Sequence, residues 1–564
     1  MLIRDPHILT LLTAIELTSF IYIIEEIIFS QLQWKYIKQA SRFAELATTI
    51  TSFCLTIVFF YGMLVSPLWL KWIYAGFYIF ASMVEYGYQK VMRRFTVAGD
   101  IEIGLISPPK MWKDAGTLYL DARVFISIIV FGLTLWVIQP ASNLSASLGS
   151  FGLLVFMLIA LNVIQSKLSY NLNWGPTPIQ AIRALVEFVR MRFTKVEREK
   201  LTFQSDIKPT NNIVLIMDES LRGDHLSVNG YSRTTSPYLE ELAKQRELFH
   251  NWGIAVPGAT CSNISNGLMS IGAPIAHGSL AIIYKHPTIF QYAKAMGYRT
   301  VYIDVQTSYL WNGINKNDLV YIDNWIKSTK FGEDNLVSDF LAAESLREIV
   351  DSSTGNFIVV NKRGVHFLYE NNYPPTAAVW TPTPSSSLEY EAFPEKTMNA
   401  YDNAILYNIN GFFTRLFPDP QKMREYTENT IYLYTSDHGE TLYEEGSKVT
   451  HCTGTRQETR VPLIAIGRLP NPVDTAYRAS HSNILPTILD LMGTPAEAHM
   501  YDYNLSLLKA RAKDSKDRLF FDSDGTIVNH DEMERDAGKK QTAIRSSTSS
   551  RSTPEGPDVG NRFL

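Results

Sequence analysis

Cysteine is scarce in this chain of 564 residues, which contains only three copies of it. At most one intramolecular disulfide can form, and this excludes both a disulfide-stapled framework and a zinc site built from four cysteines. Cys54 lies in an apolar run, which predicts an ordinary buried side chain. An excess of positive charge is also missing, because 52 basic residues face 56 acidic ones and give a net charge of −4. We therefore expect no nucleic-acid partner.

Long apolar runs are crowded into the first third of the chain. A helix needs roughly 20 residues to cross a bilayer. Five stretches approach that length, at residues 8–30, 46–66, 68–89, 122–140 and 148–168. The first carries three glutamates, which are costly in hydrocarbon, so it is either a span with its acids at the interface or a surface helix. We predict an α-helical transmembrane domain of about five helices over residues 1–175.

Residues 176–208 predict an amphipathic linker helix. Apolar residues recur there at helical spacing, with five Arg and Lys side chains among them. The pattern fits a helix that lies on a membrane surface, and it fits equally a packed helix with a solvated basic face.

Two loops between the predicted spans are basic, at residues 31–45 and 90–123. If there are five spans, both loops lie on the same side of the membrane as everything after residue 170. The positive-inside tendency favours a cytoplasmic position for that side.

From residue 211 onward, short apolar strands alternate with helical segments. The predicted strands cover residues 211–220, 298–305, 356–363, 430–439 and 461–467. The predicted helices between them cover residues 236–247, 287–297 and 337–350. This alternation indicates an α/β domain with a mostly parallel central sheet covered on both faces. We place that domain at residues 209–530, and the Ser-, Thr- and Gly-rich residues 531–564 predict a disordered tail.

Acidic and imidazole side chains stand at the ends of several predicted strands. In parallel sheets the chemistry sits at the carboxyl ends of the strands. Glu219 ends the first strand, the pair Asp437 and His438 follows a later one, and His451 lies in a polar loop beyond it. Each alone has a structural interpretation, as a helix cap or a buried histidine. Together they predict a divalent-metal site, since carboxylate oxygen and imidazole nitrogen are ligands that zinc takes.

Four segments carry a family resemblance. The segment IVLIMDESLRGDHLSVNGYSRTTSPYL resembles the opening motif of the phosphoethanolamine transferases of the alkaline-phosphatase/sulfatase superfamily. TSDHGE resembles the second metal motif of that family, TRVPLIAIG its following strand, and SHSNILPTILDLMG its late helix. The lipid A phosphoethanolamine transferases also place about five transmembrane helices before this domain, so the resemblance reaches to about residue 525.

The resemblance implies a sulfatase/alkaline-phosphatase-like fold and a zinc site with one or two ions. The implied zinc ligands are Glu219, Asp437, His438 and a nucleophilic hydroxyl near residue 260. The implied ligands of the substrate phosphate, or of a second zinc ion, are His366 and His451. The match at His366 is looser, because the family usually has Gly-x-His-Gly-Pro there.

The segment PGATCSNISNGLMSIG offers three candidate nucleophiles. Ser262 has Ser265 three residues on and Gly272 ten residues on, as the superfamily pattern requires. Thr260 keeps the residue type usual for the transferases, and Cys261 stands between the two. The segment lacks the Cys-x-Pro-x-Arg motif needed to form formylglycine, so we expect no sulfatase activity.

Two departures from the family pattern stand out. Asp218 occupies a position that is usually glycine and places a negative charge beside Glu219. The family's periplasmic enzymes usually carry several disulfides, including one that brackets the nucleophile, and we expect none of those pairs here. The chain is therefore not a close relative of the colistin-resistance enzymes.

The resemblance implies a zinc-dependent transferase that moves phosphoethanolamine from a phospholipid to lipid A or another envelope glycan. A covalent serine or threonine intermediate is implied, in a multi-pass protein of the bacterial inner membrane whose catalytic domain is periplasmic. One alternative is a phosphoglycerol transferase of the lipoteichoic-acid-synthase type, against which the Asn-Gly-Tyr-x-Arg-x-Thr motif argues. The other is a catalytically inactive sulfatase-like membrane sensor, against which the retained metal-ligand set argues.

Overall fold

The fold is taken from a computed structural model of the chain. The structure describes residues 6–37, 42–92, 95–106, 125, 128–129, 132, 143–168, 177–193, 197–206, 208–272, 275, 280–308, 313–332, 334–386, 389–444, 450–522 and 525–538. The chain divides into two compact units, Met1–Lys195 and Val196–Leu564. The boundary falls inside the predicted linker.

The first unit is helical. Its helices are α1 (Pro6–Ile37), α2 (Arg42–Leu64), α3 (Leu68–Met92), α4 (Ala98–Ile106), α5 (Leu144–Leu168) and α6 (Thr177–Phe193). Within the described ranges, we find no helix that joins the length and the apolarity needed to cross a membrane.

Four of the five predicted apolar spans coincide with α1, α2, α3 and α5, so their helical character is confirmed. The fourth span, 122–140, falls almost wholly outside the described residues. The buried environment expected for Cys54 is wrong, because its side chain is exposed on α2.

One of the glutamates in α1 has a definite partner. Glu25 is 2 % exposed, and its carboxylate accepts the backbone N–H of Thr177 at 3.2 Å. The Thr177 hydroxyl also donates to this carboxylate. Glu25 therefore caps the first turn of α6, where free N–H groups and the helix dipole favour an anion.

The second unit is built on a seven-stranded sheet. Its strands are β1 (Asn212–Asp218), β2 (Phe249–Ala255), β3 (Arg299–Asp304), β4 (Asn324–Ile326), β5 (Asn356–Asn361), β6 (Thr430–Ser436) and β7 (Val461–Ile466). The strand order is β2-β7-β6-β1-β5-β3-β4. Pairing is parallel from β6 through β4 and antiparallel where β7 meets β6 and β2. The predicted mostly parallel sheet is confirmed.

Both faces of the sheet are covered, as the continuous apolar strands require. In β1, Val214 and Ile216 belong to one hydrophobic cluster, whereas Ile213 and Leu215 belong to the cluster on the opposite face. All four side chains are at most 1 % exposed. The centre of the sheet therefore has no solvated side, and polar side chains gather at its ends.

Helices and turns connect the strands. The helices are α7 (Pro237–Leu242), α8 (Ser262–Ile271), α9 (Ile289–Ala295), α10 (Ser338–Ser352), α11 (Glu389–Ala392), α12 (Pro394–Leu416), α13 (Met423–Tyr426) and α14 (Ile484–Met492). The helix predicted at 337–350 is confirmed almost in full. Those predicted at 236–247 and 287–297 are shorter in the structure, as α7 and α9.

The end of the described chain departs from the predicted tail. A hairpin of β8 (Leu519–Phe521) and β9 (Ile527–Asn529) leads into a helix, α15, over residues 530–538. Asp531 is 6 % exposed and pairs with Arg518 at 2.7 Å, so a buried ion pair ties this helix to the hairpin. Residues 531–538 are thus ordered structure rather than tail, and residues 539–564 lie outside the described residues.

Candidate metal centre and nucleophile

The carboxyl ends of β1 and β6 build the centre of the candidate site. The two strands are parallel neighbours with Asp218 opposite Ser436, so the residues that follow them emerge side by side. These are Glu219, Asp437 and His438, whose ligand atoms all lie within 4.8 Å of one another. All three side chains are buried. The structure therefore brings together the three acidic and imidazole ligands predicted from the sequence.

The donor set fits a zinc ion. Nε2 of His438 lies 3.5 Å from a Glu219 oxygen and 3.4 Å from Oδ2 of Asp437. Nδ1 of His438 is 2.7 Å from the carbonyl oxygen of Gly439, which can only accept, so Nδ1 carries the proton and Nε2 keeps its lone pair. Oδ2 of Asp437 is buried and has no hydrogen-bond partner within the described ranges. A lone pair and an orphaned carboxylate oxygen that face the same point are what a cation needs.

The electrostatics of the cluster favour a cation as well. Burial, followed by repulsion from the nearby Glu219 carboxylate, raises the pKa of Asp437 to about 6. Two buried carboxylates whose oxygens lie within 4.8 Å of each other oppose each other's ionisation, because both would carry negative charge. A divalent cation would hold both in the charged form.

Of the two candidate hydroxyls, that of Ser262 reaches the cluster. It is the first residue of α8, and its Oγ lies 3.1 Å from Oε1 of Glu219 and 3.0 Å from Nε2 of His438. Thr260 is fully buried, and its hydroxyl has no hydrogen-bond partner among the described residues. The geometry therefore puts Ser262, and not Thr260, in contact with the predicted metal ligands.

Cys261, the third candidate nucleophile, is bonded to Cys452 in a disulfide. Its sulfur is therefore not available for attack in this state. The expectation that no disulfide stands near the nucleophile is wrong. The bond joins the residue before Ser262 to the residue after His451, and the backbone N–H of Cys452 also donates to Thr260 O at 3.0 Å.

The two predicted phosphate-binding histidines flank the cluster. The ring centroid of His451 lies 4.9 Å from that of His438 and 5.7 Å from that of His366. Burial alone lowers the pKa of His451, but the Glu440 carboxylate, 3.0 Å from Nδ1, outweighs it and raises the pKa to about 9. His451 is therefore an imidazolium at neutral pH.

His366 differs from His451 in charge. Its Nδ1 donates to the carbonyl oxygen of Phe367 at 2.7 Å, which leaves Nε2 as an acceptor. The residue is exposed, yet the protein around the ring desolvates it, and the neighbouring positive charge of His451 adds to this effect. Both causes lower the pKa of His366, so the site holds one charged and one neutral imidazole.

Asp218 does not add a free negative charge at the site. Lys362 and Asp218 are both fully buried and form an ion pair. Oδ1 of Asp218 accepts the backbone N–H of Glu219 at 3.0 Å, and Oδ2 accepts the hydroxyl of Tyr434 at 2.8 Å. The ion pair therefore holds the backbone N–H of Glu219, a predicted metal ligand, in place through Asp218.

Gln306 and Glu440 also belong to this site and were not predicted from the sequence. Nε2 of Gln306 donates to Oε2 of Glu219 at 2.8 Å and to the carbonyl oxygen of Lys362 at 2.7 Å. Glu440 holds His451, as described above, and also accepts the hydroxyl of Tyr369 at 2.9 Å. Gln306 follows β3, and Glu440 lies in the TSDHGE segment. A search of the strand ends for amides and for additional carboxylates would have found both.

A family model described as Sulfatase matches residues 211–494, which include every residue of the site. The chain is 23% identical over 319 residues to the Kdo(2)-lipid A phosphoethanolamine 7''-transferase of Escherichia coli (strain K12), covering 52% of this chain and 54% of that protein. It is 25% identical over 374 residues to the phosphatidylethanolamine transferase Mcr-1 of Escherichia coli, covering 57% of this chain and 62% of that protein. The chain spans about half the length of the curated relatives it matches.

Among solved structures, the chain is similar to the integral membrane protein lipooligosaccharide phosphoethanolamine transferase A from Neisseria meningitidis. The TM-score is 0.57 at 15% identity, and the match covers 85% of this chain and 95% of that one. At this identity the likeness shows a shared fold.

Proposed function

The chain belongs to the sulfatase family, and on this premise we propose that it transfers phosphoethanolamine from a phospholipid to lipid A or another envelope glycan. One observation carries the proposal: the hydroxyl of Ser262 lies within 3.1 Å of both Glu219 and His438, in a cluster of metal-ligand type. The choice of donor and acceptor follows two relatives of the chain, one named as a phosphatidylethanolamine transferase and the other as a lipid A phosphoethanolamine transferase.

The metal in this proposal is Zn²⁺, which Glu219, Asp437 and His438 would hold beside the Ser262 hydroxyl. Bound there, zinc lowers the pKa of a coordinated hydroxyl and offsets charge on a phosphoryl group. Gln306 and the Asp218–Lys362 pair fix the orientation of Glu219, as outer hydrogen bonds do at metal sites.

In the first half-reaction, Oγ of Ser262 attacks the phosphorus of the phospholipid head group. An Oγ–P bond forms, the bond from phosphorus to the diacylglycerol oxygen breaks, and the proton that the Ser262 hydroxyl loses ends on that oxygen, which leaves as diacylglycerol. The imidazolium of His451 donates from Nε2 to a phosphoryl oxygen, since Glu440 occupies its Nδ1. The product is a covalent phosphoethanolamine–serine, which divides one difficult step into two.

In the second half-reaction, a hydroxyl of the acceptor glycan attacks the same phosphorus, the Oγ–P bond breaks, and the proton lost by the attacking hydroxyl finally returns to Oγ of Ser262. Neutral His366 accepts the proton of the attacking hydroxyl at Nε2, since its Nδ1 donates to a backbone carbonyl. The two histidines thus divide the work, because one is charged at neutral pH and the other is not.

We place the protein in the bacterial inner membrane, with the catalytic unit in the periplasm. The Cys261–Cys452 disulfide supports this position, because such bonds persist in oxidising compartments and are rare in the cytosol. It opposes the cytoplasmic position that the basic loops favour.

Intact-mass spectrometry tests the function. The full chain in detergent, loaded with zinc, is incubated with phosphatidylethanolamine beside Ser262→Ala. We expect a mass gain of one phosphoethanolamine in the wild type and none in the variant. Phosphatidylglycerol serves as the matched donor, and a gain of phosphoglycerol alone would instead support the phosphoglycerol transferase. A folded, zinc-loaded wild type that gains no mass with either lipid would overturn the transfer chemistry and favour the sensor.

A further inference from the structure

Asn266 is a buried amide that finds no hydrogen-bond partner in the part of the chain that the structure describes. It lies in the middle of α8 and is 2 % exposed, and among the described residues neither Nδ2 nor Oδ1 makes a hydrogen bond. A buried carboxamide with both of its polar groups unmet is costly, and such groups in native proteins call for an explanation. A ligand that completes its hydrogen bonds is one such explanation.

The position of Asn266 on its helix points to the candidate site. It follows Ser262 by four residues, and residues at this spacing lie on the same face of a helix, with side chains tilted toward the N-terminus. Ser265 shares this face, and its hydroxyl donates to the carbonyl oxygen of Asp437 at 2.5 Å. These three polar residues span an arc of about 100° on α8.

The face of α8 opposite this arc is apolar and packed. Leu268 and Ile271 belong there to a hydrophobic cluster with Phe521, and Gly267 lies against Ile283. Asn266 lies on the side of the helix away from that cluster, with Ser262, although Met269 on the same side packs in the other hydrophobic cluster.

We propose that Asn266 is a binding residue for the transferred group, with Nδ2 donating to a non-bridging oxygen of the phosphoryl moiety on Ser262; this rests on the proposed function. The metal-ligand cluster beside Ser262 already contains two carboxylates, Glu219 and Asp437, together with His438. A neutral amide supplies a hydrogen-bond donor to a phosphoryl oxygen without adding another negative charge beside them.

The sharpest test is Asn266→Leu, which keeps the side-chain size and removes both polar groups. A residue with a merely structural role would give a variant at least as stable as the wild type and unchanged in binding, because an unmet amide has been replaced by an apolar group. Binding of soluble O-phosphoethanolamine to the zinc-loaded full chain is measured by calorimetry. We expect the dissociation constant to rise about tenfold, as loss of one hydrogen bond to a charged group predicts, with zinc content unchanged.

Two further variants accompany this one. Asn266→Asp keeps the shape but adds a negative charge, and we expect weaker binding than for the leucine variant. Ser270→Ala is the matched control, because Ser270 lies on the same helix and its hydroxyl only donates to Gly267 O at 2.8 Å. It should bind as the wild type does.

The outcomes separate the two proposals. If the wild type forms the phosphoethanolamine adduct and Asn266→Leu binds and reacts equally well, only the assignment of Asn266 is overturned. If the wild type forms no adduct, the proposed function fails, and the assignment fails with it. Weaker binding and at least tenfold slower adduct formation in the folded leucine variant would support both.

Discussion

The hydroxyl oxygen of Ser262 lies 3.0 Å from Nε2 of His438, although the two residues are 176 positions apart in the chain. The first begins α8 and the second follows β6, so helix start and strand end meet at one point. The same hydroxyl is 3.1 Å from Glu219. The hydroxyl of Thr260, two residues earlier, makes no hydrogen bond to any residue that the structure describes.

This contrast gives the first prediction. Ser262→Ala should lower the rate of adduct formation by at least about a thousandfold, as loss of a nucleophile does. Thr260→Val should change it less than about threefold and leave stability unharmed, because the lost hydroxyl is buried and unpartnered. The rates are followed by intact mass. An inactive valine variant beside an active alanine variant would make Thr260 the nucleophile.

A second prediction concerns Gln306, which follows β3, two strands away from β1 in the sheet, and donates to Oε2 of Glu219. Gln306→Leu should weaken zinc binding by about 10- to 100-fold, the usual effect of removing an outer hydrogen bond from a metal ligand. Competition with a zinc chelator measures the affinity. Gln421→Leu is the control, since that glutamine is exposed. Equal affinities in both variants would show that Glu219 needs no such support.

A third prediction concerns the buried pair of Lys362 and Asp218. Lys362→Met should lower the free energy of unfolding of the second unit, Val196–Leu564, by about 3–5 kcal/mol, because it leaves the Asp218 carboxylate uncompensated in the interior. Adding Asp218→Asn to this variant should recover part of that loss, since the orphaned charge is then removed. Denaturant unfolding of the single and double variants measures both effects. Strictly additive losses would contradict the coupling.

A fourth prediction concerns pH. Burial, followed by the nearby positive charge of Arg518, lowers the pKa of His530 to about 4 from an ordinary 6.5. Between these two pH values the unfolded chain binds a proton at His530 and the folded chain does not. The contribution of His530 to the free energy of unfolding is therefore complete above about pH 7 and is lost as the pH falls. The loss from this group approaches about 3 kcal/mol by pH 4.

The variant that tests this is His530→Gln, which cannot titrate. The stability of the wild type relative to the variant should fall between pH 7.5 and pH 4, as measured by denaturant unfolding at each pH. The side chain of Thr459, 2.8 Å from His530 Nδ1, can hydrogen-bond to the glutamine as well, so the variant should fold. Parallel curves for the two proteins would rule out His530 as the source of acid sensitivity.

A fifth prediction concerns the disulfide between Cys261 and Cys452. Reduction by a dithiol yields two thiols and frees the His451 loop from the start of α8. We expect adduct formation to slow at least tenfold while bound zinc is retained, because neither sulfur belongs to the metal-ligand cluster. Cys261→Ser should behave like the reduced protein, and Cys54→Ser like the oxidised one. A reduced protein with full activity would show that the bond does not position the site.

The sheet could be predicted from sequence where its strands are interior. β1, β5 and β6 are buried on both faces and are therefore short, unbroken apolar runs. The two strands that prediction missed are the edges of the sheet. β2 contains Gly253 at a positive φ beside a register shift, and β4 has three residues. Edge strands need only one partner, so their sequences carry a weaker signal.

The candidate site divides in the same manner. Its ligand types at strand ends could be predicted, because Glu219, Asp437 and His438 stand next to strong strand signals. Gln306 could be overlooked because amides at strand ends are common and carry no charge. The disulfide was not predicted, because no local sequence pattern links Cys261 to a partner that lies 191 residues farther along the chain.

The separation of 191 residues between Cys261 and Cys452 also determines when their disulfide can form during synthesis. At a synthesis rate of about 5–20 residues per second, Cys452 is made roughly 10 to 40 s after Cys261. Until then Cys261 carries a free thiol at the start of α8. Strands β1 to β6 all precede residue 452, so the disulfide closes only after the parallel part of the sheet has been synthesised.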